Sequence, residues 1–323
     1  MKAKYLLKGI IKNVPGIEYL YAFNKRTGGS CSARYCYSVW LRHLIFAYRN
    51  GFNSVPKVLA ELGPGDSLGV GLAALISGTE KYYALDIKRY SNNETNLNIF
   101  DKLVTLFKQK TQIPNISEFP RIRPLLDDYN FPEHIFNDRY LEEILNENRI
   151  ADIRASIQTM DNSVQNDQNR FLEYIVPWNK SATIKEGTVD MIISQAVLQA
   201  IDDLDNTYKM MTKWLKPSGL QSHDIGFKSS GSADTWYGHW EYSDIEWKIV
   251  RGRKNFFINR EPYSTHIKYI KENNFEIITE EKEYADTIIK RQNLSSRFKN
   301  ISDDDLKIFS VFIQSRKITN KLI

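Results

Sequence analysis

The chain has 323 residues, enough for one large domain or two modest ones with a buried core. Its 42% hydrophobic and 26% charged residues exclude a disordered or fibrous chain, and no stretch approaches the roughly 20 apolar residues of a membrane span. The 44 basic and 39 acidic residues leave a net charge of +5 without a basic tail, which argues against a nucleic-acid partner and leaves a mild preference for small anionic ligands.

Residues 1–55 read as an N-terminal helical cap: a helix, a polar glycine-containing loop at 25–32, and a second helix over 37–49 with apolar residues at helical spacing. The apolar runs among Lys2, Lys4, Lys8 and Lys12 are too short for a secretory leader, so the chain reads as cytoplasmic. Cys31 and Cys36 lack the second pair or nearby histidines of a zinc site, and no metal site is predicted.

A second unit, 56–323, opens with a strand at 57–62, the turn Gly63-Pro64-Gly65-Asp66 and a helix rich in small residues at 68–77. A strand at 82–87 completes a right-handed βαβ unit, which requires a parallel sheet. Residues from about 90 to 170 are polar, helical in character and broken by Pro114, Pro120, Pro124 and Pro132, and read as a helical insertion. Alternation resumes with strands at 173–178 and 188–194, a helix at 205–215, the turn Lys216-Pro217-Ser218-Gly219 and a strand at 220–225. An aromatic-rich region spans about 226–270, and a last strand pair is expected near 275–279 and 308–314.

Gly63 and Gly65 let backbone amides approach a ligand closely where the first strand turns into its helix. Asp86 ends the next strand, about 20 residues further on, where a carboxylate can accept bonds from both hydroxyls of a ribose. Leu68 occupies the third position of a dinucleotide fingerprint, and Glu61 two residues before Gly63 would repel a pyrophosphate but suit a cation. A sulfonium is such a cation.

Glu61-Leu62-Gly63-Pro64-Gly65-Asp66-Ser67 resembles the first motif of class I S-adenosylmethionine methyltransferases, and Tyr83-Ala84-Leu85-Asp86-Ile87 resembles the second. Residues 189–198 resemble the fourth-strand motif, and 214–219 the turn before the fifth strand. The resemblance covers 57–87 and 173–226. It implies an α/β, Rossmann-like methyltransferase sheet and S-adenosylmethionine as cofactor, with Glu61, Gly63, Gly65 and Ser67 along the amino-acid end. It implies further that Asp86 and Ile87 lie at the ribose, Asn179 near the adenine, and Ser194 and Gln195 at the methyl group. Where many members carry Glu-His after the fourth strand, this chain has Gln199-Ala200.

Methyl transfer to a hydroxyl needs an aligned acceptor and a base. His239 is the preferred base because it follows the fifth strand in a polar, aromatic loop; His223 and then Asp224 come next, with His266 a fourth candidate. Because side chains alternate along a strand, His223 and Asp224 must point to opposite faces. Trp236, Tyr237 and Trp240 could stack on an acceptor ring or fill a small core, and Arg34 and Arg253 could meet a phosphate. The layout, including Ser32-Ala33-Arg34-Tyr35-Cys36-Tyr37 near the start, resembles methyltransferases of bacterial surface-polysaccharide biosynthesis, which implies O-methylation of a sugar, nucleotide-activated such as a heptose, or of a capsule or lipopolysaccharide glycan. A nitrogen, protein or RNA acceptor is the first alternative, and a non-catalytic module that binds a nucleoside or a partner is the second. A homo-oligomer is compatible with all three.

Overall fold

The computed structural model describes residues 2–13, 29–160, 171–181, 184–254, 257–287 and 289–318. Seven strands form one sheet in the order β3-β2-β1-β4-β5-β7-β6. They are β1 (Val58–Leu62), β2 (Lys81–Leu85), β3 (Leu172–Ile175), β4 (Val189–Gln195), β5 (Leu215–Gly226), β6 (Phe275–Tyr284) and β7 (Ile308–Lys317). The first five are parallel, and β7 runs antiparallel between β5 and β6. That order with its antiparallel β7 is the sheet of the class I methyltransferase fold, as the sequence predicts. Because the chain crosses from β3 over β2 and β1 to reach β4, a crevice opens beyond the carboxyl ends of β1 and β4, where open α/β sheets bind their ligands.

The period-two alternation of the strands sends their side chains into two cores. Leu59, Tyr82, Ala84, Met191, Ile193, Leu220 and Phe312 face one layer of helices, and Ala60, Leu62, Leu85, Ile192, Ile225 and Ile313 face the other. The first layer contains α2 (Ala33–Arg49), α3 (Gly69–Ile76), α4 (Asn93–Lys108) and α6 (Glu147–Gln158), with the short α5 (Asp138–Ile144) beside them. The second holds α7 (Trp178–Ser181), α8 (Leu204–Trp214) and α10 (Tyr263–Glu272), while α1 (Lys2–Asn13) packs against α9 (Asp244–Arg251).

Several expectations change on folding. The second helix of the expected cap, α2, is buried over 33 and 36–47 and forms part of the first layer, because its Trp40, Leu41 and Leu44 meet the sheet-side core. Of the loop expected at 25–32, residues 25–28 lie outside the described residues, as does 161–170 of the expected insertion. The described part of that insertion supplies α4 and α6, which pack on the sheet layer through Ile99, Phe100, Leu103, Ile153 and Ile157. The turn 216–219 lies inside β5, where Ser218 takes φ +62° and the β4–β5 register shifts between Val189 and Met191. Gly71 does the packing that a third fingerprint glycine would do: a Cβ there would land in the ring of Tyr82, so α3 lies directly on β2.

Candidate active site

At the carboxyl ends of β1, β2 and β4 lies a cleft of about 840 Å³, within the range of small-molecule and cofactor sites. Its floor is the β1–α3 loop. Gly63 takes φ +63° and Gly65 φ +78°, and a Cβ on Gly63 would come 2.7 Å from Val197 Cγ2. Gly63 N donates to Leu85 O at 2.8 Å, so the loop is pinned across to the end of β2.

Asp86 follows β2 at the cleft wall. Its Oδ1 accepts from Ile87 N at 2.7 Å and its Oδ2 from Gly65 N at 3.4 Å, which leaves acceptor capacity on the carboxylate. Burial raises its pKa, with the amides of Ile87, Gly65 and Lys88 pulling the other way. Glu61 also lines the cleft, 3% exposed, and accepts from Tyr82 Oη at 2.5 Å. Burial pushes its carboxyl up to about 8 despite that bond, which favours the neutral acid. Ile87, Trp178 and Asn179 line the far wall, and Trp178 N donates to Asp86 O at 2.9 Å.

Of the predicted cofactor residues, Glu61, Gly63, Gly65, Asp86, Ile87, Asn179 and Gln195 line this one cleft. Ser67 and Ser194 do not. Ser67 is fully buried; its Oγ donates to Ser30 O and its N to Ser30 Oγ, so it braces the 29–30 loop that lines the cleft. Ser194 points to the opposite face of β4 from Gln195, fully buried, with Oγ 2.8 Å from His223 Nδ1.

The four candidate bases separate sharply. His223 is fully buried, both ring nitrogens are engaged by Ser194 and by Gln221 Oε1 at 3.1 Å, and burial lowers its pKa to about 3. His239, the preferred candidate, is 2% exposed, packs 4.8 Å from the Trp240 ring and does not line the cleft; burial lowers it to about 3. His266 is equally buried, with Nδ1 3.1 Å from Tyr208 Oη. Asp224, ranked behind the first two, is buried and does not line the cleft either, but it stands directly behind a side chain that does: Gln195 Nε2 donates to its Oδ2 at 2.8 Å. Burial chiefly, helped by Glu283 and opposed by Arg123 and Lys228, raises Asp224 to about 7.

The sequence reading missed His43. Its Nδ1 lies 2.6 Å from Ser222 Oγ and its Nε2 3.1 Å from Gln195 Oε1. Gln314 Nε2 donates to Ser222 Oγ at 3.0 Å, so the hydroxyl donates onward to Nδ1 and the Nε2 proton points at Gln195. Burial lowers His43 to about 4, which keeps the ring neutral and this polarity fixed. The chain Gln314, Ser222, His43, Gln195 ends on Asp224. Tyr35 was missed as a site residue too: it lines the cleft, half-buried, and its phenol is raised chiefly by desolvation. The only local signal for either residue was its place on the helical face of α2.

The expected acceptor residues do not gather at the cleft. Trp240 is fully buried in the second core, its Nε1 donating to Arg260 O at 3.0 Å, and Trp236 and Tyr237 pack beside it. Their density comes from a small core, with Tyr242 and Trp247 in a third cluster. Arg34 is held by Glu118 through Nε at 2.7 Å and Nη2 at 2.6 Å, and Arg253 stands exposed on the turn after α9. Among the described residues no cluster of metal-ligating side chains occurs, and no helix is long and apolar enough to cross a membrane.

No family model matches the chain, and no curated protein matches its sequence. Among solved structures it is similar to a SAM-dependent methyltransferase from Methanosarcina mazei, at 12% identity over 85% of this chain and 98% of that one, TM-score 0.44. It is also similar to an S-adenosylmethionine-dependent methyltransferase from Mesorhizobium loti, at 11% identity over 84% and 96%, TM-score 0.41. A third likeness is to the cyclase SpnF, at 10% identity over 92% and 86%, TM-score 0.42.

Proposed function

We propose that this chain is an S-adenosylmethionine-dependent methyltransferase that methylates an oxygen, a sugar hydroxyl being the acceptor class to test first. The observation that carries the cofactor reading is the placing of two buried carboxylates in one cleft at the switch point. Asp86, with acceptor capacity left, suits the hydroxyls of a ribose. Glu61, whose burial favours the neutral acid, suits a cationic end, since a sulfonium or ammonium would draw the carboxylate form back. Gly63 and Gly65 keep the floor clear for an extended ligand. Bound there, S-adenosylmethionine would supply an electrophilic methyl group.

Asp224 is the base in this reading. A carboxylate raised to about 7 holds a proton strongly enough to take one from a hydroxyl, yet is ionised in a large fraction of molecules at neutral pH. Gln195 aims it, and the neutral His43 holds Gln195 in turn. Calorimetric titration with S-adenosylhomocysteine tests the cofactor claim: wild type binds, and Asp86→Ala loses most of the affinity. Absence of binding to wild type would remove the methyltransferase reading.

A further inference from the structure

Helix α1 turns one face to the protein and leaves the other bare. Gly9 is buried against α9, where a Cβ would come 2.1 Å from Ile249 O, and Tyr5 and Leu6 pack on the third cluster. Lys2 Nζ donates to Glu241 O at 2.7 Å, so α1 runs alongside α9 in the same direction, Lys2 beside 241 and Gly9 beside 249.

The outward face is apolar. Ala3, Leu7, Ile10 and Ile11 fall together on it at helical spacings of three and four. Leu7, Ile10 and Ile11, with Ile245 one turn before the Ile249 contact on α9, are 42–75% exposed. Among the described residues no other helix exposes more than one large apolar side chain. Single exposed apolar residues are ordinary, but three on one helix face mark a contact surface.

Charge decides what covers that face. α1 carries no acidic residue, and Lys4 and Lys8, both exposed and one turn apart, border the apolar stripe along one side. Lys4 Nζ lies 3.9 Å from Asp234 Oδ1, at the edge of ion-pair range. Among the described residues Lys8 meets no carboxylate, its Nζ lying 5.7 Å from the Tyr5 ring centroid. Lys248 stands exposed three residues after Ile245 on α9. A second copy of the chain, packed by a two-fold axis, would set these lysines against like charges. An anionic bilayer surface suits both features: the apolar stripe enters the boundary between headgroups and acyl chains, while the bordering ammonium groups reach lipid phosphates. With 12 residues α1 is too short to span a bilayer and would lie in its plane.

We propose that α1 docks the protein on the surface of an anionic lipid bilayer, with Leu7, Ile10 and Ile11 entering the interface and Lys4 and Lys8 meeting the phosphates. This docking does not depend on the methyltransferase reading.

The test is flotation of the full chain with vesicles of phosphatidylcholine alone and with vesicles of equal parts phosphatidylcholine and phosphatidylglycerol. Wild type is compared with Leu7→Gln, Lys8→Gln and Ile116→Gln, all at exposed positions, with melting temperature as the check that each variant folds. Wild type should bind the mixed vesicles and leave the neutral ones. Leu7→Gln should weaken that binding about tenfold or more and Lys8→Gln about fivefold, while Ile116→Gln changes nothing. Wild type that ignores the mixed vesicles, binds both kinds alike, or loses as much through Ile116→Gln as through Leu7→Gln overturns the docking. A dimer in sedimentation analysis that Leu7→Gln dissociates overturns it in favour of a second copy on this face.

Discussion

Gln195 donates its Nε2 to Asp224 Oδ2 at 2.8 Å, so a residue of the cleft wall holds the carboxylate behind it in place. The bond favours the ionised form of Asp224, while burial and Glu283 favour the acid and Arg123 and Lys228 oppose them. With selectively 13C-labelled aspartate carboxyls, the signal that Asp224→Asn deletes should titrate near 7 in wild type and higher in Gln195→Leu. A titration at the ordinary aspartate value would remove Asp224 as the base. Once an acceptor is in hand, Asp224→Asn should lower kcat by about 10²- to 10⁴-fold and flatten the rise in rate through neutral pH.

Stability should peak near neutrality, for reasons of opposite sign. Glu61 and Asp224 bind their protons more tightly folded than unfolded, about 8 against 4.5 and about 7 against 3.8. Their contribution is therefore complete below the unfolded values and is lost as pH rises through 7 to 8. His43, at about 4, and His223, His239 and His266, at about 3, shed protons on folding relative to 6.5, so stability is lost as pH falls below 6.5. Melting temperature across pH 4 to 9 measures both limbs, and Glu61→Gln should flatten the alkaline one. A melting temperature still climbing at the alkaline end would contradict the placement of both carboxyls.

Gly63→Ala should damage the cleft twice. Its φ of +63° disfavours any side chain, and the new Cβ would meet Val197 Cγ2 at 2.7 Å. The backbone term alone costs about 1 kcal/mol or more. Adding Val197→Ala should recover the steric part of the loss in S-adenosylhomocysteine affinity and melting temperature and leave the backbone part. Full recovery in the double variant would show that φ at 63 is unimportant.

Arg42 is a buried cation on which the 114–124 segment hangs. It is 0% exposed; Nε donates to Ser38 Oγ at 3.0 Å, Nη1 to Pro124 O at 2.5 Å and Nη2 to Pro114 O at 3.0 Å. Arg42→Ala should cost about 3 kcal/mol, because it leaves the buried Pro124 carbonyl without its donor and takes one of two donors from Pro114 O. Arg42→Lys should rescue little, since an ammonium cannot span both prolines as the guanidinium fork does. Chemical denaturation measures both, and rescue by lysine would refute the fork argument.

Signals carried by neighbours in the chain were legible in the sequence. The strand and glycine turn at 58–65, Asp86 at the end of β2, and the alternation of β4 and α8 each depend on residues a few places apart, so periodicity and turn chemistry reveal them. From these follow the parallel sheet and the floor of the cleft. Burial decided the rest. His223, His239 and His266 are chemically as eligible as any histidine until the fold places them in dry cores. His43 reaches Gln195 only because α2 lies on the sheet 152 residues away in sequence. Arg123 meets Glu283 on β6 across 160 residues of sequence, which no local pattern encodes. What the chain determines locally is which elements form and where the loop turns; which titratable groups are dry, paired or left with surplus charge is a property of long-range packing, because desolvation and Coulomb energies depend on everything that surrounds a group.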